Sequence, residues 1–111
     1  MNSIQGGLAL GVPSEVRFGA VVTGRPHFFV GTRTHALHEA FAVRSDDGVS
    51  LQIVDNVAVA PRLPVSPGDR IVVQGELIPA GARAPLVHWT HHDPRGRHQD
   101  GFIEWSGRRY A

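Results

Sequence analysis

PGDRIVVQGEL, Pro67 to Leu77, is the stretch from which the fold is read. Pro-Gly-Asp is turn chemistry: proline presets φ, glycine takes positive φ without steric cost, and aspartate bonds its own neighbouring backbone. Directly after it, through Arg70 to Ile78, Ile71, Val73 and Leu77 alternate with more polar positions, the period of a half-buried strand. The segment before it, DNVAVAPRLPVSPGD, carries Pro61, Pro64 and Pro67. Each lacks the amide hydrogen that a helix interior needs, so no helix of normal length fits there.

Working outward, the two-residue period recurs. Val16, Phe18, Ala20 and Val22 predict a first strand, and GRPHFFVGTRT (Gly24 to Thr34) is either a long hairpin connection or a bulged continuation of it. His38 to Ser45 puts Phe41 and Val43 on one face, with His38, Ala40 and Arg44 on the other. Asp46-Asp47-Gly48 turns the chain into a strand with Val49, Leu51 and Ile53 inward. Leu86 to His92 is a fifth candidate, and Phe102 to Trp105, Ser106-Gly107, Arg108 to Tyr110 predict a short terminal hairpin. Residues 1–13 are small, Gly-rich and aperiodic, and are expected to form a loose N-terminal arm or short leading strand before a single β-barrel domain at 14–111. With no sustained 3.6-residue pattern and no repeat, the chain is read as all-β: a small OB-like barrel of about five strands plus a short C-terminal hairpin, the crossover helix reduced or absent. An SH3-like barrel and a small sandwich are the alternatives.

A chain of 111 residues suits one domain with a real core. It has no cysteine, which excludes disulfides and thiolate metal sites and leaves His, Asp or Glu as ligands for any metal ion. MNSIQGGLALGVP has no basic leading region and its apolar run is broken by glycines, so it reads neither as a signal peptide nor as a membrane span. The expected location is cytoplasmic, with no membrane partner. All eleven basic residues are arginine, and the formal charge is +1, too small for a strong electrostatic footprint on duplex DNA. The arginines serve either as forks for phosphate or carboxylate or reflect base-composition bias in the source genome.

HWTHHDPRGRH, His88 to His98, holds four of the seven histidines. Asp93-Pro94-Arg95-Gly96 suits a type I turn, with Asp, Pro and Gly at their favoured first, second and fourth positions. If the turn closes a hairpin, counting outward pairs His92 with Arg97 and His91 with His98. Opposed side chains have Cβ atoms roughly 4.5 to 5.5 Å apart, close enough to share a metal ion, a phosphate or a proton. On that face would lie Val87, Trp89 and Asp100, with His88, Thr90, His92 and Arg97 opposite. A plain type I turn splays two-residue hairpins or brings a bulge, which would shift the pairing by one. Val87 and Trp89 look inward in this register, which sets the histidine pair at the barrel rim. The competing structural role is that these histidines bond backbone and cap an open barrel end.

The C-terminal HWTHHDPRGRHQDGFIEWSGRRY resembles the HWTH-x-DP-x-GRH and GW-x-x-x-x-G-x-x-Y pattern of the bacterial domain-of-unknown-function family thirty-four sixty-five. GDRIVVQGEL, DNVAVAPRLP and HEAF (His38 to Phe41) resemble further segments of it, so that the likeness runs from Val16 to Tyr110. It implies no activity. By position it marks His38, Asn56, Arg62, His88, His91, Asp93, Arg97 and His98. Where the family has His before the Asn this chain has Asp55, which could still coordinate a hard cation through oxygen. Where the family has an aromatic pair after GE, this chain has Leu77-Ile78, which weakens any base-stacking surface there.

Three functions compete. In the first, a divalent-metal-assisted or His-based hydrolase acts on a phosphorylated or nucleic-acid-like substrate. His91 and His98, with His38 or Asp55, hold the ion or move protons, and Arg97 and Arg62 clamp the anion. Its metal ligands would be His91, His98 and Asp55. The second is a non-catalytic module for a single-stranded oligonucleotide or an oligosaccharide, with Phe28, Phe29, Trp89 and Trp105 stacking. In the third, the barrel mouth takes a small molecule, with Trp89 as wall and Asn56 and His88 among the polar anchors. Enzyme or binder is left open, and exposed strand edges leave room for a homodimer.

Overall fold

The computed structural model describes residues 3–58, 61–79 and 84–111. Five strands close a barrel: β1 (Ser14–Val22), β3 (Leu37–Ser45), β4 (Ser50–Asn56), β6 (Leu86–His88) and β5 (Arg70–Ile78), in that spatial order. β1 pairs antiparallel with β5 from Ser14↔Leu77 to Val21↔Arg70, which joins the two ends of the sheet. β4 and β6 are parallel, through Gln52↔Leu86 and Ile53↔Val87, and the other barrel pairs are antiparallel. This order, with one parallel pair, is the Greek-key arrangement of an OB-type barrel. β7 (Phe102–Trp105) extends the sheet from β5, and β8 (Arg108–Tyr110) folds back on it. Ser106 and Gly107 between them have φ of 51° and 75°, a turn with two positive φ values that suits strand twist.

GRPHFFVGTRT continues the first strand through a bulge. β2 (His27–Val30) pairs with β3 through His27↔Ala40 to Val30↔Leu37, while β1 pairs with the other end of β3 through Val22↔Val43. Between those two registers the chain advances five residues on the β1–β2 side against three on β3. The amides of Thr23 and Gly24 both reach the carbonyl of Ala42, as a bulge requires.

Alternation places Val16, Phe18, Val22, Phe41, Val43, Leu51, Ile53, Ile71, Val73, Leu77 and Val87 in one core. The proline-rich crossover contributes Leu63 and Val65, both buried, and contains no helix among the described residues. The turn before β5 forms as its residues demand: Gly68 has φ 98°, and Ser66 N–H donates to Asp69 Oδ2 at 2.9 Å.

The expected loose arm is instead a short helix, α1 (Ile4–Ala9). Ser3 Oγ accepts from Gly6 N–H at 2.9 Å as N-cap, Ile4 is fully buried, and Gln5 bonds Asp47 through its amide and its side chain. Ile4, the buried Gly7 and the half-buried Leu8 form its inward face, and six residues span too few turns to show a period in the sequence. Met1 and Asn2 of that arm, and Val59-Ala60 of the crossover, lie outside the described residues.

Candidate functional site

The predicted fifth strand stops early. β6 ends at His88 because Trp89 takes φ 57°, and from there to Gly101 the chain is a loop rather than a hairpin arm. The reversal breaks the alternation: Thr90, expected to face outward, is buried, while Trp89, expected inward, is 38 % exposed. The Asp93-Pro94-Arg95-Gly96 turn does form, with Gly96 N–H donating to the Asp93 carbonyl at 3.1 Å. No strand pairing follows from it, so His92 and Arg97 are not ladder partners.

The Asp93 carboxylate replaces that ladder. Its Oδ1 accepts from Arg95 N–H at 2.9 Å, and its Oδ2 accepts from the amides of His98, at 2.8 Å, and Arg97. Burial alone would raise its pKa, but these backbone donors and the nearby His98 hold the carboxyl below its ordinary value. Asp100 Oδ1 accepts from Asp93 N–H at 2.9 Å, and Gly101 N–H donates to the His91 carbonyl at 2.8 Å, which closes the loop at its base.

The loop brings His91 and His98 together edge-to-face, with ring centroids 5.1 Å apart. His88, expected on the opposite face, also joins them: its ring stacks on Trp89 at 4.6 Å, and His98 stacks on Trp89 at 4.5 Å. A carbonyl oxygen only accepts, so each ring nitrogen facing one carries the proton. Nδ1 of His91 donates to the His92 carbonyl, Nδ1 of His98 to the Gln99 carbonyl, and Nδ1 of His38 to the Ala36 carbonyl. In their neutral forms all three therefore present Nε2 as a lone pair. His98 Nε2 lies 3.7 Å from Asp93 Oδ2. His88 has the reverse tautomer, with Nε2 donating to Glu76 Oε1 at 2.8 Å across the β5–β6 pair.

These side chains line one pocket of about 650 Å³, which includes His38 and Asn56 from β3 and β4 and Arg97 from the loop. Arg33, Thr34 and Arg95 line it too, although nothing in the sequence reading selected them for a site. Arg95 stood within the quoted motif, whereas Arg33 and Thr34 arrive from the far end of the β2–β3 connection, beyond the reach of local spacing. The guanidinium groups of Arg33, Arg95 and Arg97 have no carboxylate partner among the described residues, in contrast to Arg70 with Asp46 and Arg109 with Glu104.

Two expected site residues lie elsewhere. Arg62 is over the ring of Phe28 at 4.8 Å, in a separate pocket. Asp55 points into the barrel, 1 % exposed, where Thr90 Oγ1 contacts its Oδ1 at 3.4 Å. The set His91, His98 and Asp55 is thus not assembled, and no group of three His, Asp or Glu side chains among the described residues is placed to hold a metal ion. Nor do the proposed stacking aromatics form one platform. Trp105 donates its indole N–H to Asp69 and sits beside Tyr110, and Trp89 already carries two stacked imidazoles.

No helix among the described residues is long and apolar enough to cross a membrane. Residues 18–111 match a protein family described as protein of unknown function (DUF3465). No curated protein and no solved structure matches the chain.

Proposed function

We propose, from the premise that the chain belongs to this DUF3465 family, that it is a His-based hydrolase of phosphate esters, with its site in the pocket between β3, β4 and the 89–101 loop. The observation that carries this is the meeting in one pocket of three guanidinium groups, without a carboxylate partner among the described residues, with imidazoles whose Nε2 lone pairs are set by backbone carbonyls. Guanidinium groups hold non-bridging phosphate oxygens bidentately and stabilise the charge that develops on them. Two imidazoles supply the rest: one takes the proton of an attacking water as its oxygen forms the new P–O bond. The other, as imidazolium, gives a proton to the departing oxygen as the old P–O bond breaks. His91 and His98 are the pair in contact, and His38 is a third imidazole on the same pocket.

The substrate class is a phosphodiester or phosphomonoester small enough to enter the pocket. A stacking module for single strands is less well supported, because Trp89, the aromatic ring beside the arginines of this pocket, is already stacked by two imidazoles. The test is turnover of a bis-nitrophenyl phosphate and of short DNA and RNA oligonucleotides, with and without chelator. Turnover that persists in chelator, peaks near neutral pH, and falls about 100-fold or more in His91→Ala and His98→Ala is expected. No turnover of any of them, equal turnover in both variants, or loss of turnover to chelator alone would overturn it.

A further inference from the structure

β2 separates two pockets because its side chains alternate: Phe29 stacks on His38 at 5.3 Å, while Phe28 lines a second pocket of about 390 Å³. This pocket is formed by Arg25 and Phe28 on one side and by Arg62, Leu63 and Val65 of the crossover on the other. Pro26 and Pro64 add accessible apolar rings to its wall, backed by the buried core side chains of Leu63 and Val65. Phe28 is 45 % exposed at its wall, with the Arg62 guanidinium over its ring. Arg25 has no ion pair or hydrogen bond among the described residues, and Arg62 is held over the Phe28 ring. Glu39 also faces the pocket, but its Oε1 is occupied by Leu63 N–H at 3.0 Å.

We infer that this second pocket binds a small amphiphilic anion, a carboxylate or phosphonate head at Arg25 and Arg62 with a ring-sized apolar body against Phe28, Pro26 and Pro64. Apolar concave walls with a few convergent polar groups are the usual composition of small-ligand sites, and a guanidinium is the residue suited to such heads. The site is independent of the phosphate-ester chemistry proposed above and stands whether or not that chemistry is found.

Phenylphosphonate, inorganic phosphate and benzylamine serve as probes, read by amide chemical-shift mapping on the intact protein. Phenylphosphonate should shift the Phe28, Leu63 and Ser66 amides saturably, inorganic phosphate more weakly there, and benzylamine not at all. Arg25→Ala and Phe28→Ala should each weaken phenylphosphonate at this site by about tenfold, with native spectra otherwise. Arg97→Ala should leave it unchanged. Shifts confined to the Trp89 and His91 amides, equal binding of benzylamine, inorganic phosphate binding as tightly as phenylphosphonate, or an unaltered affinity in Arg25→Ala would each overturn the inference.

Discussion

Asp55 stands directly across the β3–β4 ladder from Glu39, and both carboxyl groups are 1 % exposed in the barrel interior. Burial, and then the charge of Glu39, push Asp55 up to about 7, only partly offset by Thr90 and by its neighbouring amide. Its Oδ2 is buried with no hydrogen-bond partner among the described residues, the place where a protonated acid or an amide fits better than a carboxylate. Burial raises Glu39 in the same direction, against its bond from Leu63 and the charge of Arg62. An acid whose folded-state pKa exceeds its unfolded value keeps its proton longer in the native state. Stability should therefore be highest near pH 4, fall as the pH rises towards 7, and stay low above it, by on the order of 4 kcal/mol for Asp55 at most. Asp55→Asn should flatten this dependence and raise the melting temperature at pH 8. Parallel pH profiles of the two proteins would show that the buried carboxyl is not the cause.

The 89–101 loop is held by contacts that no periodicity describes. A Cβ at Gly101 would collide with the carbonyls of Trp89 and Gln74, and one at Gly75 with the His88 carbonyl, so both glycines let the loop base pack against β5. At its tip three amides depend on one carboxylate, and because that carboxyl is held below its ordinary value the loop should persist into the acid range where unperturbed carboxylates take up protons. Asp93→Ala leaves those amides to water. Hydrogen exchange at Arg95, Arg97 and His98 should accelerate about tenfold or more, with little change elsewhere in the barrel. Unchanged exchange at these positions would mean the loop is held by something other than Asp93.

The whole barrel rests on a core drawn from each of its five barrel strands and from a crossover with no regular structure among the described residues. Leu63 is fully buried in that crossover and belongs to the same core cluster as the strand residues. Leu63→Ala should cost roughly 3 kcal/mol and lower the melting temperature by on the order of 10 °C, whereas Leu10→Ala, at a position 63 % exposed, should leave it almost unchanged. Equal melting temperatures for Leu63→Ala and the parent chain would show that the crossover is not part of the core. PGDRIVVQGEL determined its own strand by itself, as did the Phe18, Phe41 and Ile53 strands and the Ser106-Gly107 hairpin, because period and turn chemistry are local properties written in neighbouring residues. α1 escaped because its inward face, Ile4, Gly7 and Leu8, spans too few turns to show a period, and the histidine hairpin dissolved into a loop where Trp89 takes a positive φ and the loop base packs against β5. Only the tertiary structure decided which histidines share a pocket, that Arg33 joins Arg95 and Arg97 there, and that Arg62 and Asp55 do not. Those relations join residues dozens of positions apart, and barrel closure, not local spacing, sets their distances.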